Sequence, residues 1–463
     1  MTLSSESVDV LTIGAGGGAY PAAFRLARAG LSVVMVDPKG VMSGNCLYEG
    51  CVPSKAIRET AEILETQRRF AHYGLTGSLQ VDYAQVVAHK DAIQSRRYAQ
   101  HAQELANTPN LQLIQGTARI LDPHTVAIDT ETGQRNFHCA HIIIASGADV
   151  FVPPIPGAEL CLTSHDLYKP EPVLRTLPKR MLIIGGGYIG LETASFFAAF
   201  GTQITLLQKG PQLLTGMDRE MVEMLLPLLS PNIQLILNAD VERVEATATG
   251  RRLFYQQAGT TQQLEADVVL MAVGRRPAIP AGAADIGIEI GKRGIVVGPS
   301  LQTRYPHIYA AGDVNGQVPL FHAAVRQSLV AAHNILGGDQ PLDYADFQSV
   351  PTTIFTLPGA AYIGLSASQA AQQGLAVQTG SYDFQEDSRA QILEAMGGGI
   401  RLFFAKESLR LVGGWVVGID AGSLIGEIGL ALSKGLTAYD LAQFADQHPM
   451  SAEGIGKAAR SLF

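Results

Sequence analysis

The chain is poor in cysteine, with four in 463 residues, at Cys46, Cys51, Cys139 and Cys161. That excludes a secreted fold stapled by disulfides. Charge is also sparse: Asp, Glu, Lys and Arg make up 16% of the chain, and the net charge is only -8. So mild an acidic balance gives no broad pull on nucleic acid or on an anionic membrane. No apolar run approaches the roughly 18 residues of a membrane span. The N-terminal residues lack a basic signal-peptide start and enter an apolar strand pattern at Val8, so the expected location is cytoplasmic. What the chain does have is apolar residues, 47% of the total. That is enough for large cores in about three domains of about 150 residues each.

One pattern occurs twice. Val8 to Asp37 and Arg180 to Gln208 each read as an apolar strand, a glycine-rich turn, a helical stretch of small residues, a glycine and a second apolar strand. Gly14 aligns with Gly185, Gly16 with Gly187, Gly30 with Gly201 and Asp37 with Gln208, every offset being 171. A lone GxGxxG carries little weight, and two ordinary βαβ units without a ligand would share its outline. Here each copy lies between a strand and a helix within about 30 residues, as a dinucleotide fingerprint requires. Its glycines make the tight turn and admit a pyrophosphate to the helix N-terminus. The third position is Ala19 in the first copy and Gly190 in the second; both are small enough for close helix–strand packing. Asp37 ends a strand where a carboxylate can accept from a ribose hydroxyl. The second copy has Gln208 and Lys209 there.

Each unit is followed by a strand and a short turn: Ala145-Ser146-Gly147 after the first, Gly274-Arg275-Arg276-Pro277 after the second. A later apolar strand closes on Gly312-Asp313, which puts another carboxylate at a strand end. From about Phe347 the pattern changes to strands with proline breaks, a short helix, a hairpin over RLFFAKE and LRLVGGWVVGI, and two terminal helical stretches. This predicts an α+β domain. Its apolar character fits subunit contact or a plain core equally.

Cys46 and Cys51 stand at i and i+5 in Gly44-Asn45-Cys46-Leu47-Tyr48-Glu49-Gly50-Cys51-Val52-Pro53-Ser54-Lys55. On an ideal helix their α-carbons would be roughly 8–9 Å apart, whereas a disulfide needs less than about 7 Å. The segment must therefore be distorted, and Gly44 and Gly50 supply the freedom. No further Cys or His lies at zinc-ligand spacing, so no metal is expected. The pair is read as a working dithiol–disulfide. Near the other end, His448 is followed by Pro449 and, five residues on, by Glu453. A histidine oriented by a carboxylate is a good acceptor for a thiol proton near neutral pH. About 400 residues separate it from the cysteines, so only folding or a partner subunit can bring them together.

In their order — GxGxxA, CxxxxCxPSK, a second GxGxxG, AVGRRP, AAGD and HPxxxE — these motifs resemble the class I pyridine nucleotide–disulfide oxidoreductases over nearly the whole chain, the lipoamide branch most of all. The resemblance implies an α/β fold with two Rossmann-like dinucleotide-binding domains and a C-terminal α+β dimerisation domain. The implied division is 1–150 for FAD with the redox pair, 151–277 for NAD(P), 278–346 returning to the FAD-binding part, and 347–463 at the interface of a homodimer. It further implies that Gly14, Gly16, Asp37, Lys55, Ser146, Gly147, Gly312 and Asp313 serve FAD. Gly185, Gly187, Gly190, Gln208 and Gly274 would serve NAD, with NADP still open. Lys55 would pair with Glu192, Cys51 would meet the flavin, Cys46 would exchange with substrate, and His448, oriented by Glu453, would be the base acting across the dimer. The implied reaction is oxidation of dihydrolipoamide, on a lipoyl carrier protein or as a small dithiol. A glutathione-type NADPH-dependent reductase, towards which Tyr188 points, and a lipoyl-carrier-binding subunit of weak turnover are the alternatives. The chain departs from the lipoamide pattern at Tyr48-Glu49 (usually Asn-Val), Asn45 (Thr), Gln208 (Glu), Gly359 (Glu), Asp446 (His) and Met450 (Thr). These departures cluster around substrate access and the adenosine ribose.

Overall fold

The computed structural model describes residues 5–338 and 340–463. The first repeat folds as strand Ser5–Ile13, helix Tyr20–Arg28 and strand Val33–Asp37. The second folds as strand Arg180–Ile184, helix Tyr188–Ala199 and strand Gln203–Gln208. The two copies agree down to strand register. Val10 pairs with Val33 and Ile13 with Val36 in one; Met181 pairs with Ile204 and Ile184 with Leu207 in the other. Each of these pairs is displaced by the same 171 positions. The copies differ at the helix start. Pro21 in the first turn of the first helix has no N–H to give, and that helix begins at Tyr20 rather than directly at the turn.

The first sheet runs Leu111–Gln115, Val33–Asp37, Ser5–Ile13, Gly133–Ile144, Thr125–Thr130, Thr117–Asp122. On the edge away from Ser5–Ile13, the long strand Gly133–Ile144 serves two partners. Residues 133–138 pair antiparallel with Thr125–Thr130, and Ile142–Ile144 pair parallel with Ile308–Ala310. The chain thus leaves this sheet, builds the second unit, and returns to it. The second sheet is wholly parallel, in the order Ile233–Leu237, Gln203–Gln208, Arg180–Ile184, Val268–Met271, Leu162–Thr163. An antiparallel meander over Asp240–Ala246, Arg251–Gln257 and Thr260–Ala266 lies beside it.

The C-terminal sheet is antiparallel in the order Thr352–Ile354, Gly359–Gly364, Leu411–Gly418, Gly399–Ala405, Val377–Asp383. Helix Ala421–Ser433 buries Leu424, Ile425 and Ile428 against it, and helix Glu453–Arg460 buries Ile455, Ala458 and Ala459. The expected α/β plus α+β architecture is what folds. Among the described residues no helix is long and apolar enough to cross a membrane.

Candidate active site

A continuous cavity of about 2400 Å³ is lined from the first unit, the second unit and the C-terminal sheet. A pocket for one small molecule is typically about 300–1000 Å³, so this one has room for two large ligands. Both glycine turns, both cysteines of the close pair, Asp37, Lys55, Ser146, Gly147, Glu192, Gln208, Gly274, Gly312 and Asp313 line it.

The two turns are built alike. Gly14 has φ +109° and Gly185 φ +106°, a region that L side chains rarely adopt. Gly14 N donates to Val36 O at 2.7 Å, and Gly185 N to Leu207 O at 2.8 Å. A side chain on Gly14 would collide with Ala145 O, and one on Gly185 with Ala272 O. A side chain on Gly190 would collide with Gly185 O, so this glycine serves helix–strand packing. Around Gly187 nothing lies within 4 Å of where a side chain would begin. The backbone there is open to a ligand at the start of helix Tyr188–Ala199. The strand ends also correspond. Ala15 N donates to Asp37 Oδ2 at 3.4 Å, and Gly186 N donates to Gln208 Oε1 at 2.9 Å. Burial pushes the Asp37 carboxyl up, against the opposing pull of the Lys39 and Ala15 N–H groups and the Lys39 charge. Burial does the same to Asp313, with Arg275 opposing. Lys209 Nζ is turned to Asp240 at 3.0 Å. These open, small-residue cradles and strand-end acceptors fit two dinucleotides, one per unit.

The segment between the cysteines is a broken helix. Helix Gly44–Tyr48 stops at Glu49 (φ -148°, ψ 13°). Gly50 turns the chain at φ -129°, ψ -111°, and helix Cys51–Thr66 follows. A side chain on Gly50 would come within 2.9 Å of Asn45 O, so the break needs a glycine. It is this break that brings Cys46 and Cys51 together, here as free thiols. The hydrogen bond from the Cys46 thiol is the largest influence lowering the Cys51 thiol; burial opposes it and the Lys55 charge assists. Cys46 is pushed up correspondingly, first by that hydrogen bond and then by burial. Of the two, Cys51 is therefore the thiol more readily ionised. Lys55 Nζ lies 2.8 Å from Glu192 Oε2 and 4.2 Å from the Phe355 ring centroid. Glu192 Oε1 accepts from Phe355 N at 3.0 Å.

The loop is held by partners that are distant in sequence. Glu49 is buried, with Oε2 2.5 Å from His165 Nδ1 and Oε1 2.9 Å from Arg275 Nη2. Burial raises its carboxyl, but the hydrogen bonds from His165 and Arg275 outweigh it and leave a net lowering. Arg275 Nη2 also donates to Ala148 O at 2.8 Å, the same oxygen that accepts from Asn45 Nδ2 at 2.9 Å. Below the short helix, Gln94 Nε2 donates to Leu47 O and Tyr48 O. His165 and Gln94 carry no motif that would single them out, and Arg275 is visible only as a member of its turn.

His448 and Glu453 lie outside this cavity. His448 Nδ1 is 3.2 Å from both Glu453 oxygens. The imidazole side chain is 66% exposed while Glu453 is nearly buried. Within one chain the His–Glu pair and the cysteine pair are thus separate clusters.

The sequence profile for pyridine nucleotide-disulphide oxidoreductases matches residues 8–328, and that of the family's dimerisation domain matches residues 350–459. The chain is 31% identical over 457 residues to a dihydrolipoyl dehydrogenase of Bacillus subtilis, covering 97% of this chain and 95% of that one. It is 33% identical over 459 residues to a dihydrolipoyl dehydrogenase of Haemophilus influenzae, covering 97% and 94%. The solved structure of the HOCl-induced flavoprotein disulfide reductase RclA from Escherichia coli superposes with a TM-score of 0.86 at 25% identity, over 98% of this chain and 99% of that one. Its Cu(II) complex superposes with a TM-score of 0.87, also at 25% identity, over 99% and 100%. The chain belongs to the pyridine nucleotide-disulphide oxidoreductase family and is an enzyme whose cofactors are FAD and NAD.

Proposed function

We propose that the enzyme oxidises dihydrolipoamide, presented on a lipoyl carrier protein, with NAD as the final acceptor. The observation that carries this reading is the broken helix between Cys46 and Cys51, which sets Cys51 beside the Lys55–Glu192 pair and facing the cavity between the two glycine turns. The dihydrolipoyl dehydrogenases among the relatives support the choice of substrate. Residues 1–150 and 278–346 form the FAD-binding part, 151–277 the nicotinamide-binding part and 347–463 the interface of a homodimer. Gly14, Gly16, Asp37, Ser146, Gly147, Gly312 and Asp313 hold FAD; Gly185, Gly187, Gln208 and Gly274 hold NAD, while Gly190, which does not line the cavity, packs the helix closely behind the turn. Bound there, FAD and NAD supply the path by which the dithiol's electron pair leaves the protein.

The protein's own steps follow from proton and sulfur bookkeeping. In the oxidised enzyme Cys46 and Cys51 are joined. His448 of one subunit takes a proton from the substrate dithiol, and Glu453 steadies the imidazolium that results. The substrate thiolate attacks Cys46 Sγ, breaking the Cys46–Cys51 bond and releasing Cys51 as a thiolate beside Lys55. The second substrate thiol then attacks the mixed disulfide. The imidazolium gives its proton to the departing Cys46 sulfur, which leaves as a thiol, and the neutral ring takes the second thiol's proton, which passes to solvent once the oxidised substrate has left. The two cysteines have gained the electron pair that the substrate lost.

A second reading, reduction of a small disulfide by NADPH, draws on Tyr188, whose hydroxyl is 2.9 Å from that of Tyr362 at the cavity wall. Steady-state rates with free dihydrolipoamide, a lipoyl carrier and oxidised glutathione separate the two. The shared site is tested by mixing inactive Cys46→Ser and His448→Gln subunits under exchange conditions. One intact site per heterodimer should return activity towards half of the parent. Activity that stays at background after verified exchange refutes the cross-subunit base.

A further inference from the structure

Behind the His448–Glu453 pair lies a second layer of polar groups. Glu453 opens helix Glu453–Arg460, and one turn on Lys457 points its ammonium back at the same carboxylate. Lys457 Nζ is 3.2 Å from Glu453 Oε2, the oxygen that also lies 3.2 Å from His448 Nδ1. The ammonium is fixed from its other side. It donates to the hydroxyl of the buried Tyr382 at 3.0 Å and sits 4.9 Å from that ring's centroid. The Tyr382 hydroxyl reaches the buried Asp387 Oδ2 at 3.4 Å, while Asp387 Oδ1 caps Ala390 N. The other charges near the pair are already engaged: Arg460 with Asp446 at 3.4 Å and with Ala442 O at 2.9 Å. Among the described residues, Lys457 is thus the cation that reaches the dyad. An i,i+4 Glu–Lys pair by itself is an ordinary helix stabiliser. One that shares its carboxylate oxygen with a histidine and is anchored from behind by a tyrosine also acts on that histidine.

We propose that Lys457 is a positioning residue of the His448–Glu453 dyad, its ammonium, anchored by Tyr382, sharing the carboxylate and opposing protonation of the imidazole. The proposal rests on the reading of His448 as the base. Glu453 alone orients the ring at the cost of favouring imidazolium, the form that cannot accept a proton. Lys457 offsets that bias, so the ring is oriented yet free to act. The two 3.2 Å arms place the ammonium within roughly 6.4 Å of His448 Nδ1. Because the imidazole is mostly exposed, water sets the dielectric, and unit charges at that separation shift a titration by about half a pH unit.

The test uses the flavin-loaded full-length enzyme in three forms: the parent, Lys457→Met and Lys457→Arg. The His448 ring is followed by NMR with labelled histidine and assigned with His448→Gln, and the acid limb of kcat/KM for dithiol oxidation is followed in parallel. In Lys457→Met both midpoints should rise by about half a pH unit, roughly a threefold change in the protonated-to-neutral ratio; in Lys457→Arg neither should move. A Lys457→Met protein that keeps its flavin and shows an unmoved His448 midpoint overturns the proposal. If the NMR midpoint rises while the acid limb stays, His448 is not the base, and the positioning role falls with that reading.

Discussion

Replacing Glu49 with valine, the residue usual at this place in the lipoamide pattern, should destabilise this protein. Glu49 is 7% exposed and is held by His165 and Arg275. Removing one partner of a buried ion pair costs about 3–5 kcal/mol, mostly for the charge left behind. Here Arg275 is 22% exposed and keeps Ala148 O, and His165 at 39% exposure can turn to water. The expected loss is therefore smaller, about 2 kcal/mol. Glu49→Gln keeps an acceptor for Arg275 and should lose about half as much. Adding Arg275→Met to Glu49→Val removes the orphaned charge, so the double variant should fall short of the summed losses by about 1 kcal/mol or more. The pH dependence has a definite sign. A carboxyl held below its ordinary value contributes stability above the unfolded value of about 4.3 and loses it as pH falls through the folded value. The gap between the parent and Glu49→Val, read by urea unfolding of the flavin-loaded enzyme, should thus be full at neutrality and close in acid. A Glu49→Val enzyme as stable as the parent at neutral pH, or a gap indifferent to pH, refutes the argument.

Three further outcomes are expected. Lys55→Met removes a charge that lowers the Cys51 thiol and leaves Glu192, which raises it, uncompensated. The long-wavelength absorbance of the Cys51 thiolate against the flavin should then titrate roughly one pH unit or more higher, and an unchanged midpoint contradicts the assignment. Gln208→Glu should keep the bond from Gly186 N and add a charged acceptor for a ribose hydroxyl. It should improve kcat/KM for NADH over NADPH by about tenfold. The unaltered enzyme should already favour NADH, because Lys209 is engaged by Asp240; a tenfold preference for NADPH overturns that.

The duplicated unit was legible to the level of strand pairing because its signals are local. A turn glycine, a helix of small residues and two apolar strands fall within about 30 residues, and the shared offset ties one copy to the other. The distortion between the cysteines was legible for the same reason: the i,i+5 spacing demands a break, and Gly44 and Gly50 mark where it can occur. The support around Glu49 was not legible. Its partners lie 116 and 226 positions away, and nothing in the residue string says that His165 and Arg275 converge on one carboxylate. Strand Val377–Asp383 also escaped, since its alternation is weak and it lies at the sheet edge. Helix Glu453–Arg460 was hidden because its eight residues include two glycines, which weaken a helical pattern. Lys457 was invisible with it.

The two strand ends show what duplication constrains and what it leaves free. At both, the turn N–H must find an acceptor, since a buried backbone donor left unpaired is costly. Asp37 meets the demand with Oδ2 and Gln208 with Oε1, so the fold accepts either side chain. The remaining atom of each group is not fixed by the turn. In the first unit it is a carboxylate oxygen, which also accepts from Lys39 N at 2.8 Å. In the second it is an amide nitrogen within 3.4 Å of Thr215 Oγ1. Backbone satisfaction thus sets one atom of the residue, and selection of the ligand acts on the other. That is why the two copies keep one register while their strand-end side chains differ. It is also why Gln208 can depart from the usual acid without disturbing the turn it supports.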